Sequence, residues 1–138
     1  MSVFDMPNRG GMLRFCTTGT TRFVIATSRW AFKLARGPLG ARCNLEEAKL
    51  YRAVSDWRRQ MLCPVLWCMG SGRVLIARAA EPISGREAAA LRNGRGFPDW
   101  DYRGPGDLPC PFEPKASDWG RVEGRLVAVD YAGLVDER

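Results

Sequence analysis

The sequence predicts a single α+β domain with a five-stranded antiparallel sheet, one long helix, and a shorter C-terminal part that ends in a β-hairpin. One observation is a series of short apolar runs separated by glycine-containing turns, which is typical of antiparallel strands. Another is a set of apolar residues at helical spacing after the third run. The third is the length, because 138 residues with 46% hydrophobic content are enough to bury one core.

The strands are predicted in order along the first half of the chain. Residues 1–11 are predicted to be a flexible leader, because Pro7 and the Gly10-Gly11 pair interrupt regular structure. The domain is predicted over residues 12–138, with the sheet and long helix in 12–82 and the reduced part in 83–138. The predicted strands are residues 12–17, 22–27, 30–35, 65–69 and 73–79, with hairpin turns at residues 18–21 and 70–72.

Two helices and a last hairpin complete the prediction. Residues 37–40 (Gly-Pro-Leu-Gly) favour a turn, and Asn44 is a suitable N-cap for a long helix over residues 45–59. Ser84 is a suitable cap for a short helix over residues 85–92. Residues 93–114, rich in proline and glycine, are predicted to be irregular. The hairpin pairs residues 120–122 with 125–129.

Composition restricts the chemistry. The chain has a net charge of +6 and no histidine, which excludes Ser-His and Cys-His nucleophile pairs and any zinc site that uses histidine. Acid–base chemistry therefore depends on carboxylates or lysine. No apolar run reaches the ~18 residues of a membrane span, and the N-terminus lacks a secretory signal. We expect a cytoplasmic protein without a membrane partner.

Three charged residues stand out by their positions. Lys33 lies in the middle of an apolar strand, Glu46 and Glu47 begin the long helix, and Asp130 follows the last apolar run. This set resembles the N-terminal lobe of protein kinases followed by a shortened catalytic segment. The resemblance implies that Lys33 contacts the phosphates of ATP, that Glu47 holds Lys33 extended, with Glu46 as the competing choice, and that Asp130 binds Mg²⁺.

The segment from Phe112 to Gly120 resembles a kinase catalytic loop. The resemblance implies Glu113 as the base, Lys115 as a phosphate-binding lysine and Asp118 as a second metal ligand. Simpler alternatives stay open, namely a strand lysine whose amine reaches solvent and acids that belong to surface turns.

Departures from the kinase pattern favour a pseudokinase-like binding protein. Residues 17–21 hold one glycine where kinases have a Gly-x-Gly-x-x-Gly loop, and few residues follow Asp130. The reduced arrangement is similar to short kinase-like proteins of bacteriophages and mobile elements, which implies a bacterial host protein as partner.

The predicted contact surface consists of Arg52, Trp57, Arg58 and Arg59, with a solvated helix face and a buried Trp57 as the alternative. An ATP- and Mg-dependent phosphotransferase is the second hypothesis, and nucleic-acid binding is the third.

Overall fold

The structure, a computed structural model, describes residues 3–6, 13–16, 21–113 and 115–135, with side chains described in the last two ranges. It is α+β with antiparallel sheets, as predicted. The main sheet consists of β1 (Val3–Met6), β2 (Leu13–Cys16), β3 (Arg22–Ala26), β4 (Trp30–Ala35), β5 (Val65–Cys68) and β6 (Val74–Arg78), in the order β1-β2-β3-β4-β6-β5. The remaining elements are α1 (Pro38–Ala53), α2 (Asp56–Arg59), α3 (Gly85–Arg92), a 3₁₀ turn (Ala116–Asp118), and the hairpin of β7 (Trp119–Val122) and β8 (Arg125–Ala128).

The main sheet has six strands, so the prediction of five was wrong. The additional strand is β1, which pairs antiparallel with β2 in the register Val3↔Cys16. It lies within the predicted leader, where four consecutive residues are too short a run to separate a strand from a loop. Four strands, β3 to β6, belong to the continuous described part of the chain. Residues 17–20, which hold most of the predicted phosphate loop, lie outside the described residues.

The long helix begins and ends earlier than predicted. Gly37 is at the N-cap position and Pro38 is in the first turn, where the fixed φ of proline suits a helix and its missing N–H costs nothing. Asn44 is therefore not a cap but a fully buried residue of α1, whose Nδ2 donates to Lys33 O at 3.0 Å and Gly72 O at 2.8 Å. The predicted helix is two helices, because the chain is extended at Val54 and α2 begins after it.

The second half follows its local sequence signals. Ser84 and Glu87 form a capping box that begins α3, as expected when a serine is followed three residues later by glutamate. Glu123 and Gly124 connect β7 to β8 with φ values of 51° and 78°, which is the positive-φ pair of a tight hairpin turn. Among the described residues, the segment from 93 to 113 is irregular, as predicted.

The chain has two apolar cores among the described residues, and the larger one contains residues of the C-terminal hairpin. The smaller core joins α1 to the inner face of the sheet, and the larger core collects Leu62, Trp100, Val127 and Tyr131. Backbone hydrogen bonds from Cys63 N to Ala128 O and from Ala128 N to Met61 O attach β8 to the chain after α2. The residues that follow β8 consequently reach the sheet near Lys33.

None of the helices among the described residues is long and apolar enough to cross a membrane.

Candidate functional site

Glu47 is the centre of a buried ion network. Its side chain on α1 is completely shielded from solvent and accepts hydrogen bonds from three donors. Lys33 Nζ lies 2.7 Å from Oε1, Arg22 NH2 lies 2.9 Å from Oε2, and the backbone N–H of Tyr131 donates to Oε2 at 3.0 Å. The Lys33–Glu47 pair is the one that the sequence predicts, and Glu46 is not the partner of Lys33.

Arg22 is the residue of this network that sequence reasoning missed. Its guanidinium donates from NH1 to Asn44 Oδ1 at 3.1 Å and from NH2 to Asp130 Oδ1 at 3.1 Å, in addition to Glu47. The Arg22 side chain is 8% exposed and the Asp130 side chain is 47% exposed. Arg22 thus bridges a buried carboxylate and a partly exposed one.

The alternation of side chains along β3 could have identified Arg22 as a buried residue of this network. Strand residues alternate between the two faces of a sheet, so Arg22 shares a face with Val24 and with the buried Ala26. An arginine on the core-facing side of a strand needs a buried acceptor. The register also pairs Val24 with Lys33, which identifies the part of the sheet where that acceptor lies.

Lys33 is held at the beginning of the C-terminal segment. Its Nζ donates to the carbonyl oxygen of Val129, the residue before Asp130, as well as to Glu47. The Tyr131 ring centroid is 5.9 Å from the same amine. The Lys33 side chain is only 8% exposed, so its amine is turned towards protein atoms and not towards solvent.

The charges of the network stabilise one another. Burial alone would raise the pKa of Glu47, but the adjacent Arg22 and Lys33 reverse this and hold the pKa of Glu47 well below its usual range. Burial alone would lower the pKa of Arg22, whereas Glu47 and then Asp130 raise the pKa of Arg22 above its usual range. Glu47 and Arg22 are therefore both ionised at neutral pH.

Asp118 is a buried carboxylate beside Asp130. Burial is the main cause that raises the pKa of Asp118 to about 6, and the negative charge of Asp130 adds to it. Glu113 raises the same pKa, while Lys115 and Lys33 lower it. The backbone N–H of Val129, the residue before Asp130, donates to the carbonyl oxygen of Asp118 at 2.8 Å. The predicted site residues Lys33, Glu47, Glu113, Lys115, Asp118 and Asp130 are thus gathered in one region, where Glu113 and Lys115 are exposed.

The donor set fits a magnesium ion poorly. Asp118 and Asp130 are the two predicted ligands, and Mg²⁺ needs an octahedral set of oxygens, most of which water or phosphate would have to supply. One oxygen of Asp130 already accepts from the Arg22 cation. The raised pKa of Asp118 means that its carboxyl group holds a proton more readily than an ordinary aspartate.

The predicted basic contact surface is only partly available. Arg58 donates to both oxygens of Asp107 and to the backbone oxygens of Trp100 and Asp101. Arg59 donates to three backbone oxygens near the end of α1. These two arginines thus anchor segments of the chain to one another, and their predicted contact with a partner protein stays a prediction. Arg52 is exposed and Trp57 is 51% exposed, so the alternative with a buried Trp57 was wrong.

Comparison with protein-family models, with curated proteins and with solved structures found no match to this chain.

Proposed function

We propose that this chain is a degenerate kinase-like protein that binds another protein and does not transfer phosphate. The observation that carries the proposal is the pair of contacts from Arg22 NH2 to Glu47 Oε2 at 2.9 Å and to Asp130 Oδ1 at 3.1 Å. Arg22 thus occupies both Glu47 and Asp130. In a kinase-like site the first would hold the phosphate-binding lysine and the second would hold the metal ion.

The charge balance supports an inactive site. In a working kinase the strand lysine contacts phosphate while the aspartate after the last strand holds Mg²⁺. Here Arg22 and Lys33 supply two positive charges, and Glu47 and Asp130 supply two negative charges. A nucleotide would have to separate Arg22 from Asp130, and the exposed side of Asp130 would repel its phosphates.

Exposed apolar side chains support a protein-binding role. Trp57, Leu66 and Trp67 are 51%, 45% and 47% exposed, and tryptophan is among the residues enriched in protein interfaces. The partner that we propose is a bacterial host protein in the cytoplasm. This part of the proposal rests on the resemblance to short phage-encoded kinase-like proteins.

Two measurements test the proposal. Thermal unfolding with ATP and Mg²⁺ is expected to give no stabilisation, whereas a ligand at 100 times its dissociation constant would add ~2.7 kcal/mol.

For the partner, a photo-crosslinking amino acid replaces Trp57, Leu66 or Trp67 in turn, with the exposed Arg95 as the control position. We expect one defined bacterial protein to be captured from at least one apolar position and not from Arg95. Capture from none of the three would contradict a protein-binding role.

A phosphotransferase is the second candidate, and the pKa of Asp118 favours it. A carboxylate with a pKa of about 6 is a better general base near neutral pH than an ordinary aspartate. This would give Asp118 the role predicted for Glu113. The candidate requires phosphate release or transfer from ATP that rises with pH through about 6 and is lost in Asp118→Asn. Nucleic-acid binding stays a prediction and requires an affinity that falls steeply with added salt.

A further inference from the structure

A groove lies between α1 and the end of β5. Its volume is about 510 Å³, which is within the ~300–1,000 Å³ typical of ligand sites in proteins. Its lining residues include Leu45, Ala48, Lys49 and Arg52 on the α1 wall and Cys68 and Met69 on the other wall. The groove is separate from the buried ion network around Glu47, none of whose members lines it.

Two cations of the groove have no counter-ion among the described residues. Lys49 and Arg52 are both exposed, and neither side chain belongs to an ion pair within residues 21–113 and 115–135. They are three positions apart on α1, so they are neighbours on one face of the helix, where like charges repel. An anion bound beside both of them would remove this repulsion.

The acids closest to these cations in the chain do not neutralise them. Glu47 is buried with its own two cations, and Asp56 is paired with Arg59. Glu46 is partly buried, does not line the groove and belongs to no ion pair that the described residues form. None of the exposed residues of α1 is an acid; they are Pro38, Arg42, Leu45, Lys49, Arg52 and Ala53.

The remainder of the groove lining is mostly apolar. Leu45 is 40% exposed, and Ala48 and Met69 lie beside it in the lining. Methionine adapts to apolar groups of different shapes. None of the lining residues is aromatic, whereas single-stranded nucleic acids are bound by stacking their bases on aromatic side chains. The lining therefore favours an acidic peptide with an apolar side chain over a nucleic acid.

We propose that this groove docks a short segment of a partner protein in which a large apolar side chain is flanked by acidic residues. The apolar side chain contacts Leu45 and Met69, and the carboxylates contact Lys49 and Arg52. This rests on the proposed function, because it assigns a docking site and a partner chemistry to it. The apolar side chain supplies most of the affinity, and the exposed charge pairs supply specificity and a faster association.

The test uses a designed peptide as the probe. A fluorescein-labelled peptide carries leucine and phenylalanine between glutamates, one matched peptide has lysines in place of the glutamates, and another has serines in place of the leucine and phenylalanine. Binding is measured at physiological salt, where charges beyond ~8 Å are largely screened. Wild-type protein is expected to bind the first peptide at least about tenfold more tightly than either matched peptide.

Charge reversal in the groove should weaken this binding. Lys49→Glu and Arg52→Glu should each raise the dissociation constant by about tenfold. Arg86→Glu is the control, because it changes the net charge equally at an exposed position of α3 that does not line the groove. Thermal unfolding checks that the variants are folded. Equal binding of the three peptides, or an equal loss in Arg86→Glu and Arg52→Glu, would overturn the proposal.

The thiol of Cys68 tests the site in the wild-type protein. Cys68 is a free cysteine that lines the groove, and Cys110 is a free, exposed cysteine that does not. At about ten times its dissociation constant the peptide leaves roughly a tenth of the protein free, so alkylation of Cys68 should slow by about tenfold. Mass spectrometry should show an unchanged rate at Cys110. Equal rates at Cys68 with and without bound peptide would place the peptide elsewhere and overturn the proposal.

Other occupants give different results. Single-stranded RNA that displaces the glutamate peptide and binds about tenfold more weakly to Lys49→Glu would mean a nucleic-acid site. A dimer that Arg52→Glu converts to monomer would mean a second copy of this chain. Either outcome overturns docking of an acidic segment.

The groove and the proposed function can fail separately. If the glutamate peptide does not bind but the crosslinker at Trp57 captures a defined bacterial protein, the groove is wrong and the proposed function stands. If the peptide binds with the expected losses but no crosslinker position captures a bacterial protein, the groove is supported and the bacterial partner is wrong.

Discussion

Arg22 and Asp130 are separated by 108 positions in the chain, and their side chains are joined by an ion pair of 3.1 Å. The pair connects β3 to the segment after β8. Glu47 accepts hydrogen bonds from the Arg22 guanidinium and from the backbone N–H of Tyr131. One buried carboxylate thus holds together the sheet, α1 and the C-terminal segment.

Arg22→Met is expected to destabilise the fold. It removes one of the two cations that contact the fully buried Glu47, and breaking a buried pair in this way costs about 3 kcal/mol. Urea unfolding measures the loss. Arg42→Met is the control, because Arg42 is exposed on α1, and it should change stability by less than about 0.5 kcal/mol. Equal stability of the two variants would contradict the network.

Glu47→Gln and Glu46→Gln form a matched pair of adjacent isosteric changes. Glu47→Gln leaves Lys33 and Arg22 buried without their shared anion, which should cost about 3 kcal/mol or more. Glu46 is only partly buried, and Glu46→Gln should be nearly neutral. Similar losses in thermal unfolding for the two variants would argue that the buried charge is not the cause.

Asp118 should make stability depend on pH. Its pKa is about 6 in the folded state against an ordinary value of 3.8, so between these values the folded state binds more protons and stability falls as pH rises. Asp118→Asn removes the cost of ionising the buried group. The variant should nearly match wild type near pH 4 and be more stable by about 3 kcal/mol at pH 7, because the two pKa values differ by about 2 units and each unit corresponds to about 1.4 kcal/mol.

The control for that experiment is Asp99→Asn, at an exposed position. It should change the free energy of unfolding at pH 7 by less than about 0.5 kcal/mol. If Asp118→Asn is less stable than wild type at pH 7, the ionised carboxylate of Asp118 is favourable in the fold. The raised pKa of Asp118 would then be wrong.

Arg58→Lys should loosen the irregular segment after α3. Lysine keeps the charge but cannot reach both Asp107 oxygens and the Trp100 and Asp101 carbonyls together. We expect faster amide hydrogen exchange at residues 100–108 and a loss of about 1–2 kcal/mol. Arg103→Lys is the control, because the Arg103 side chain is 77% exposed. Unchanged exchange in Arg58→Lys would show that Arg58 does not anchor the segment.

Local signals allowed part of the structure to be predicted. The cap of α3 depends on Ser84 and Glu87, and the last turn depends on Glu123 and Gly124, so each is decided by residues close to one another in the chain. The resemblance to kinases predicted the Lys33–Glu47 pair, and the structure shows this ion pair.

Other features depend on contacts across the chain and were not predicted. Pro38 between two glycines favours a turn, although proline in a first turn also begins a helix. Asn44 fits a cap because asparagine is common there, whereas its amide bridges Lys33 and Gly72. The role of Arg58 depends on Asp107, 49 positions later in the chain. No local sequence pattern indicates a contact between residues so far apart.

The most direct test of the central claim is calorimetric titration of the wild-type protein with ATP and Mg²⁺. Because Arg22 is paired with both Glu47 and Asp130, we predict no binding at millimolar nucleotide, which corresponds to a free energy weaker than about −4 kcal/mol. Saturable binding that is lost in Asp130→Asn would contradict the account and indicate a working nucleotide site.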